Sequence, residues 1–143
     1  MTEDAMISLL SAATPIACRQ MTPEHLNALH ASVERASCLS ARHDWERKAT
    51  AHAELFTVLG DVTGDPDLAR LVSSAAGRLQ DLFMTVGPAA DGMILSSRRR
   101  LLCELRAWDA DAAAWEVEHH LRGLRYMERL ACGAGSSTIS RAS

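Results

Sequence analysis

Aromatic residues are scarce in this chain: two Phe, one Tyr and three Trp make up 4% of its 143 residues. Val and Ile are sparse as well, and no segment alternates apolar and polar residues with the period of a half-buried strand. A sheet is therefore excluded as the organising element, and an apolar set dominated by Ala and Leu points to helices. No apolar run approaches the roughly 20 residues that cross a bilayer. The start lacks the basic residues and apolar stretch of a secretory signal, so a cytoplasmic location and no membrane partner are expected. A surplus of positive charge is missing too. Fifteen Lys and Arg face 18 Asp and Glu, a formal net charge of -3, which argues against nucleic-acid binding by this segment itself. The four cysteines (Cys18, Cys38, Cys103, Cys132) form no CxxC pair, which excludes a zinc ribbon or redox motif; most are expected to be small buried groups in a reducing compartment. No spacing suggests a nucleophile–base pair or a carboxylate dyad, so no enzyme is expected.

What is present is ordinary for a globular domain, with 48% hydrophobic and 23% charged residues in a length that suits one core. Residues 5–13 are apolar and open a first helix near Thr2 to Asp4, kinked or interrupted at Pro15. Thr22-Pro23-Glu24 is a helix start, with cap, proline at the first position and acid near the positive end. Leu26, Leu29, Val33 and Ala36 form the buried stripe of that second helix, which ends about Ser37. After a connector at 38–43, a third helix spans Trp45 to Gly60. Gly60 and Gly64 bracket a short turn, and Asp65-Pro66 starts a fourth helix whose apolar positions are Leu68, Leu71, Val72, Ala75, Leu79, Leu82 and Phe83. Residues 87–92 read as a loop. A fifth helix runs from Met93 to Trp108, and Asp109 caps a sixth. The fold expected is all-α, an antiparallel bundle of about six helices over residues 1–131, with a flexible Gly-, Ser- and Ala-rich tail at 132–143.

Two stripes carry polar residues that belong inside. Trp45, Ala49, His52, Phe56 and Leu59 step by four, three, four and three, and so do Ala113, Val117, His120, Leu124 and Met127. His52 and His120 lie in the middle of these faces, whereas His119 points outward. Arg98 shares a face with Leu95 and Leu102. Two buried imidazoles and a guanidinium on three helices are costly unless they meet in a common polar cavity. The structural alternatives are that each histidine is a satisfied core residue and that Arg98 pairs with Glu54 or Glu116. Arg99 and Arg100 read as a solvated face, and Trp108 and Trp115 as core or dimer-interface residues.

Three segments carry a family likeness: PIACRQMTPEHLNALHASVERA (15–36), HAELFTVLGDVTGDPDLARLV (52–72) and ELRAWDADAAAWEVEHHL (104–121). In their order and spacing they resemble the FCD domain, the effector-binding half of FadR-type GntR transcription regulators. The second is similar to the family's D-x-x-F-H-x-x-L and G-N-P-x-L pattern, the third to A-x-x-x-G-D-x-x-x-A with a terminal H-L. The resemblance covers about residues 9–128. It implies a helical, dimerising ligand sensor of the kind that reports to a winged-helix DNA-binding domain; that domain is not expected within this sequence, which is read either as a piece of a longer regulator or as a free-standing sensor domain. DNA would be bound only through the winged-helix domain.

The resemblance also implies a site. One Asp and three His bind a divalent metal in the family, and their positions fall here on His52, Phe56, Arg98 and His120. Only His120 keeps its identity. Phe56 cannot ligate, and the protonated Arg98 is a very poor ligand. His52 and His120 alone are too few for a tight zinc site, so zinc, nickel or manganese at these two is the lesser reading. The leading reading is that no cofactor is needed. Arg98 would supply the positive charge that a metal supplies in relatives and would hold a small carboxylate-bearing organic acid, with His52 and His120 alongside. The alternative is a helical interaction and dimerisation module whose pocket has decayed and which takes no effector.

Overall fold

The computed structural model describes residues 1–142, with side chains through Gly133. The chain is 86% helical, without a strand among the described residues. Its order is α1 (Glu3–Arg19), α2 (Pro23–Cys38), α3 (Trp45–Val62), α4 (Pro66–Val86), a 3-10 turn (Pro88–Ala90), α5 (Asp91–Arg106) and α6 (Ala110–Ala142). This is the all-α bundle expected from composition and spacing. None of the described helices is long and apolar enough to cross a membrane.

Local chemistry starts the helices as the sequence indicates. The Thr2 hydroxyl accepts from Ala5 N at 3.1 Å, and Asp65 Oδ1 accepts from Asp67 N and Leu68 N. At α2 the Thr22 hydroxyl accepts from His25 N, and His25 Nδ1 accepts from Thr22 N, both at 3.2 Å. That is a capping box with an imidazole where Glu or Gln usually stands. Asp109 Oδ1 accepts from Ala112 N at 3.1 Å and opens α6.

Packing settles the rest. α1 lies against α6, α4 and α3, while α3 is held between α2 and α4, and α5 rests on α6 and α2. The Trp45 indole, at the first turn of α3, donates to the Phe83 carbonyl near the end of α4 at 3.0 Å, so these two helices run antiparallel. The core is mostly aliphatic, with Phe56 and Phe83 fully buried near its centre.

Several expectations are corrected. α1 runs through Pro15 without a break. Burial of Ala13, Thr14, Ala17 and Cys18 on both sides of the proline holds the segment helical despite the missing donor. Gly60 is no turn residue. It lies inside α3, where a Cβ would come within 2.9 Å of Val72 Cγ1, so its role is close approach of α3 to α4. The turn is made by Gly64, at φ +74°. Residues 87–92 are a 3-10 turn and the first residues of α5, set off by Gly87 at φ +81°. α5 ends at Arg106, leaving Trp108 outside it. Of the cysteines only Cys18 is buried, and Cys38, Cys103 and Cys132 are exposed thiols. Leu71, Trp108 and Trp115 are more than half exposed, so neither tryptophan belongs to the core. The tail expected at 132–143 falls mainly on residues of which only the helical backbone is described, and Ser143 lies outside the described residues.

Candidate functional site

His52 and Phe56 come from successive turns of α3, Arg98 from α5 and His120 from α6, and all four are buried at 5% exposure or less. Helical periodicity alone turns them inward, and the packing of α3, α5 and α6 brings them together. The Arg98 guanidinium carbon lies 4.8 Å from the centre of the Phe56 ring and 5.8 Å from that of Phe83. Both distances suit a cation over an aromatic face. The Phe83 ring meets His52 edge-on at 6.0 Å, and the Trp45 ring lies 6.1 Å from the same imidazole.

Arg98 is the anomaly. Its one hydrogen bond among the described residues runs from a terminal nitrogen to the His52 carbonyl at 3.3 Å, and its Nε has no partner. The two carboxylates named as possible partners do not pair with it. Glu54 faces solvent. Glu116 is buried but accepts from Ser97 Oγ at 2.8 Å and Arg100 Nε at 2.7 Å. Arg100 therefore has a structural bond, while Arg99 stays in the solvated face. Burial pushes the Arg98 guanidinium down to about 10, with Glu116 pulling weakly the other way, so the charge persists at neutral pH. An arginine this deep without an ionic partner is rare and costly.

The two imidazoles differ. His52 Nε2 sits 2.8 Å from Asp91 Oδ1. Burial nevertheless takes His52 down to about 4, because it outweighs the attraction of the Asp91 carboxylate, and Arg98 adds to the depression. Neutral His52 thus donates through Nε2 to Asp91 Oδ1. His120 falls to about 2, from burial first and then from repulsion by Arg98. Its Nε2 is buried without a partner. Arg98 Nε and His120 Nε2 are thus two orphaned buried nitrogens, and the charge on Arg98 is felt at His120.

Lys48 and Asp91 are participants that sequence reasoning missed. Lys48 is 3% exposed and donates to the Leu39 carbonyl at 2.8 Å while its Nζ lies 3.0 Å from Asp91 Oδ2. A signal did exist, since Lys48 precedes His52 by four residues and so shares its face. Asp91 was concealed by its assignment to a loop.

The donor set does not suit a divalent metal of the kind the resemblance implies. Phe56 offers no donor, Arg98 keeps its proton, and His52 is engaged by Asp91. Among the described residues no group of three His, Cys, Asp or Glu side chains could hold a metal ion. The two recesses described on the chain also lie elsewhere. One is a groove of about 770 Å³ between α2 and α3, reaching from Ala31 to Glu54; the other is beside Asp67 and Leu71 on α4.

Comparison with protein families matches residues 4–123 to the FCD domain. The chain belongs to the FCD domain family. No curated protein and no solved structure matches it. FCD domains are the ligand-sensing regulatory domains of GntR-type transcription regulators, regulatory and not catalytic modules.

Proposed function

We propose that this FCD domain senses a small organic acid at the Arg98 cluster, without a metal. It works as a homodimer and passes its ligand state to a winged-helix DNA-binding domain. The observation that carries the reading is the buried, charged Arg98 with an unpartnered Nε, together with the unpartnered Nε2 of His120, whose protonation Arg98 opposes. A carboxylate at this point would accept bidentate hydrogen bonds from the guanidinium and neutralise a buried charge that has no counterpart among the described residues. It would offset a desolvation cost of several kcal/mol.

One observation favours the second reading, a module that acts through its surfaces alone. The Phe56 and Phe83 rings close over Arg98, and the described recesses lie away from the cluster. Under the sensor reading these rings must shift to admit ligand.

A thermal-shift screen of mono-, di- and tricarboxylates separates the two, run with chelator and again with zinc, nickel or manganese. The sensor reading expects one acid at 100 times its dissociation constant to add about 2.7 kcal/mol of stability. Chelator leaves that gain unchanged, and both Arg98→Ala and Arg98→Met remove it. Stoichiometric metal binding, or affinity unchanged in both variants, would overturn the reading. No acid acting on an otherwise intact dimer would favour the surface module.

A further inference from the structure

The chain's scarce large aromatics are distributed unevenly. Three of its four Trp and Tyr residues are more than half exposed: Trp108 at 58%, Trp115 at 61% and Tyr126 at 63%. Trp115 and Tyr126 lie on α6, and Trp108 precedes the helix by two residues. The inner face of α6 is occupied by Ala113, Val117, Leu121 and Leu124. A second stripe, Trp115, His119, Arg122 and Tyr126, steps by four, three and four on the opposite face, with Leu130 following at 55% exposed. The Trp115 and His119 rings stack at 4.5 Å with an interplanar angle of 10°, which presents a flat apolar platform. A helix buried on one face and aromatic on the other has two partners to satisfy, and the bundle supplies only one.

Charge on this outer face identifies the other. Exposed Asp111 stands at its N-terminal end and exposed Arg129 at its C-terminal end, while Glu118 and Arg122 between them pair with each other on the same helix at 2.9 Å. A parallel copy of α6 would set acid against acid and base against base. An antiparallel copy sets the acidic end at Asp111 against the basic end at Arg129, as a two-fold interface requires. We infer that the outer face of α6 is the self-association surface of this domain, pairing antiparallel with α6 of a second copy. Trp115 of one chain packs near Tyr126 and Leu130 of the other, and Asp111 lies beside Arg129 of the second copy. The stripe from Trp115 to Leu130 is about 22 Å long at 1.5 Å per residue. Large aromatic and arginine side chains are the residue types that anchor such interfaces. This inference rests on the dimeric part of the proposed function and assigns its surface.

Sedimentation equilibrium of the full chain tests it. The wild type is expected as a two-chain species. Trp115→Glu and Tyr126→Glu each act twice in a symmetric interface, so each is expected to raise the dissociation constant at least about 100-fold, with helical circular dichroism retained. Asp111→Arg and Arg129→Glu each weaken association, and the double variant restores it. A dimer unaffected by both aromatic substitutions would overturn the surface while leaving the dimer itself in place. A double charge variant weaker than either single one would overturn the antiparallel pairing. A wild type that stays single-chain would overturn both this surface and the dimeric half of the proposed function, whereas the thermal-shift screen would still report separately on the effector.

Discussion

Lys48 Nζ and Asp91 Oδ2 lie 3.0 Å apart, joining the second turn of α3 to the first residue of α5. The Lys48 side chain is 4% exposed and Asp91 16%. Asp91 also holds His52, so one carboxylate fixes the edge of the candidate site. Asp91→Ala leaves a buried ammonium with only the Leu39 carbonyl and removes the partner of the imidazole. We expect a loss of about 3 kcal/mol in urea-induced unfolding. Lys48→Met with Asp91→Ala should recover part of it, since no uncompensated charge remains. A double variant whose loss equals the sum of the Lys48→Met and Asp91→Ala losses would show the pair to be uncoupled.

Arg98 gives the opposite expectation. Its charge is buried with one 3.3 Å hydrogen bond to recover the lost solvation. Arg98→Met keeps most of the volume and the contact with Phe56 and Phe83 while removing the charge. The ligand-free domain should become more stable by about 1–3 kcal/mol, as chemical denaturation would register. A destabilised Arg98→Met would mean that the guanidinium is structural.

Acid should unfold the domain early, for a reason that follows from the two histidines. In the unfolded chain an imidazole takes up its proton near pH 6.5. In the fold His52 resists until about 4 and His120 until about 2. Between these values the unfolded state binds more protons, so stability falls as pH drops below 6.5. The slope is on the order of 1 kcal/mol per pH unit per imidazole. Glu104 opposes this over a narrower window. Burial and the neighbouring Glu116 raise its carboxyl to about 6, so its own contribution improves as pH falls from 6 toward 4.5. Melting temperature recorded from pH 7.5 to 4.5 should therefore fall, and fall less steeply in His120→Phe. A flat profile would exclude neutral burial of both rings.

Gly60 sets helix propensity against packing. Alanine is about 1 kcal/mol better than glycine in a helix interior. Its Cβ at this position, however, would lie 2.9 Å from Val72 Cγ1 and 3.0 Å from Val72 Cβ. Val72 is branched at Cβ and has little freedom to turn away, and overpacking costs about 1–3 kcal/mol. Gly60→Ala should therefore be net destabilising, and Val72→Ala in the same chain should reverse its sign. An unaltered melting temperature would show that α4 yields freely.

The parts of this fold that were legible from sequence are those written in local chemistry. Thr22-Pro23, Asp65-Pro66 and Asp109 start helices through their own side chains, and the stripes through His52 and His120 follow from spacing alone. What was hidden depends on elements far apart in the chain. Pro15 continues a helix because other helices bury its neighbours, and Gly60 is needed only because Val72 stands opposite. The convergence of His52, Arg98 and His120 was foreseeable as three inward-facing polar groups. The assignment of partners was not. Glu116 bonds to Arg100 and Ser97 instead of Arg98, and Asp91 reaches His52 across 39 residues, a choice made by backbone positions that no periodicity reports.

Trp108 ends α5 in a conformation its side chain does not favour. Its φ is +58°, the left-handed region, where a residue with a Cβ costs about 1 kcal/mol or more relative to glycine. The surrounding hydrogen bonds explain why the backbone accepts this. Trp108 N donates to the Leu105 carbonyl at 3.1 Å and Asp109 N to the Glu104 carbonyl at 3.0 Å, the paired closure that caps helix ends and usually carries glycine at this position. The indole is 58% exposed, so it returns little burial within the chain. Trp108→Gly should therefore stabilise the domain by about 1 kcal/mol, a rise of a few degrees in melting temperature for a chain of this length. The measurement belongs at protein concentrations low enough to keep chains apart, so that any contribution of the indole to association does not enter. A lower melting temperature under those conditions would show that Trp108 packs within its own chain.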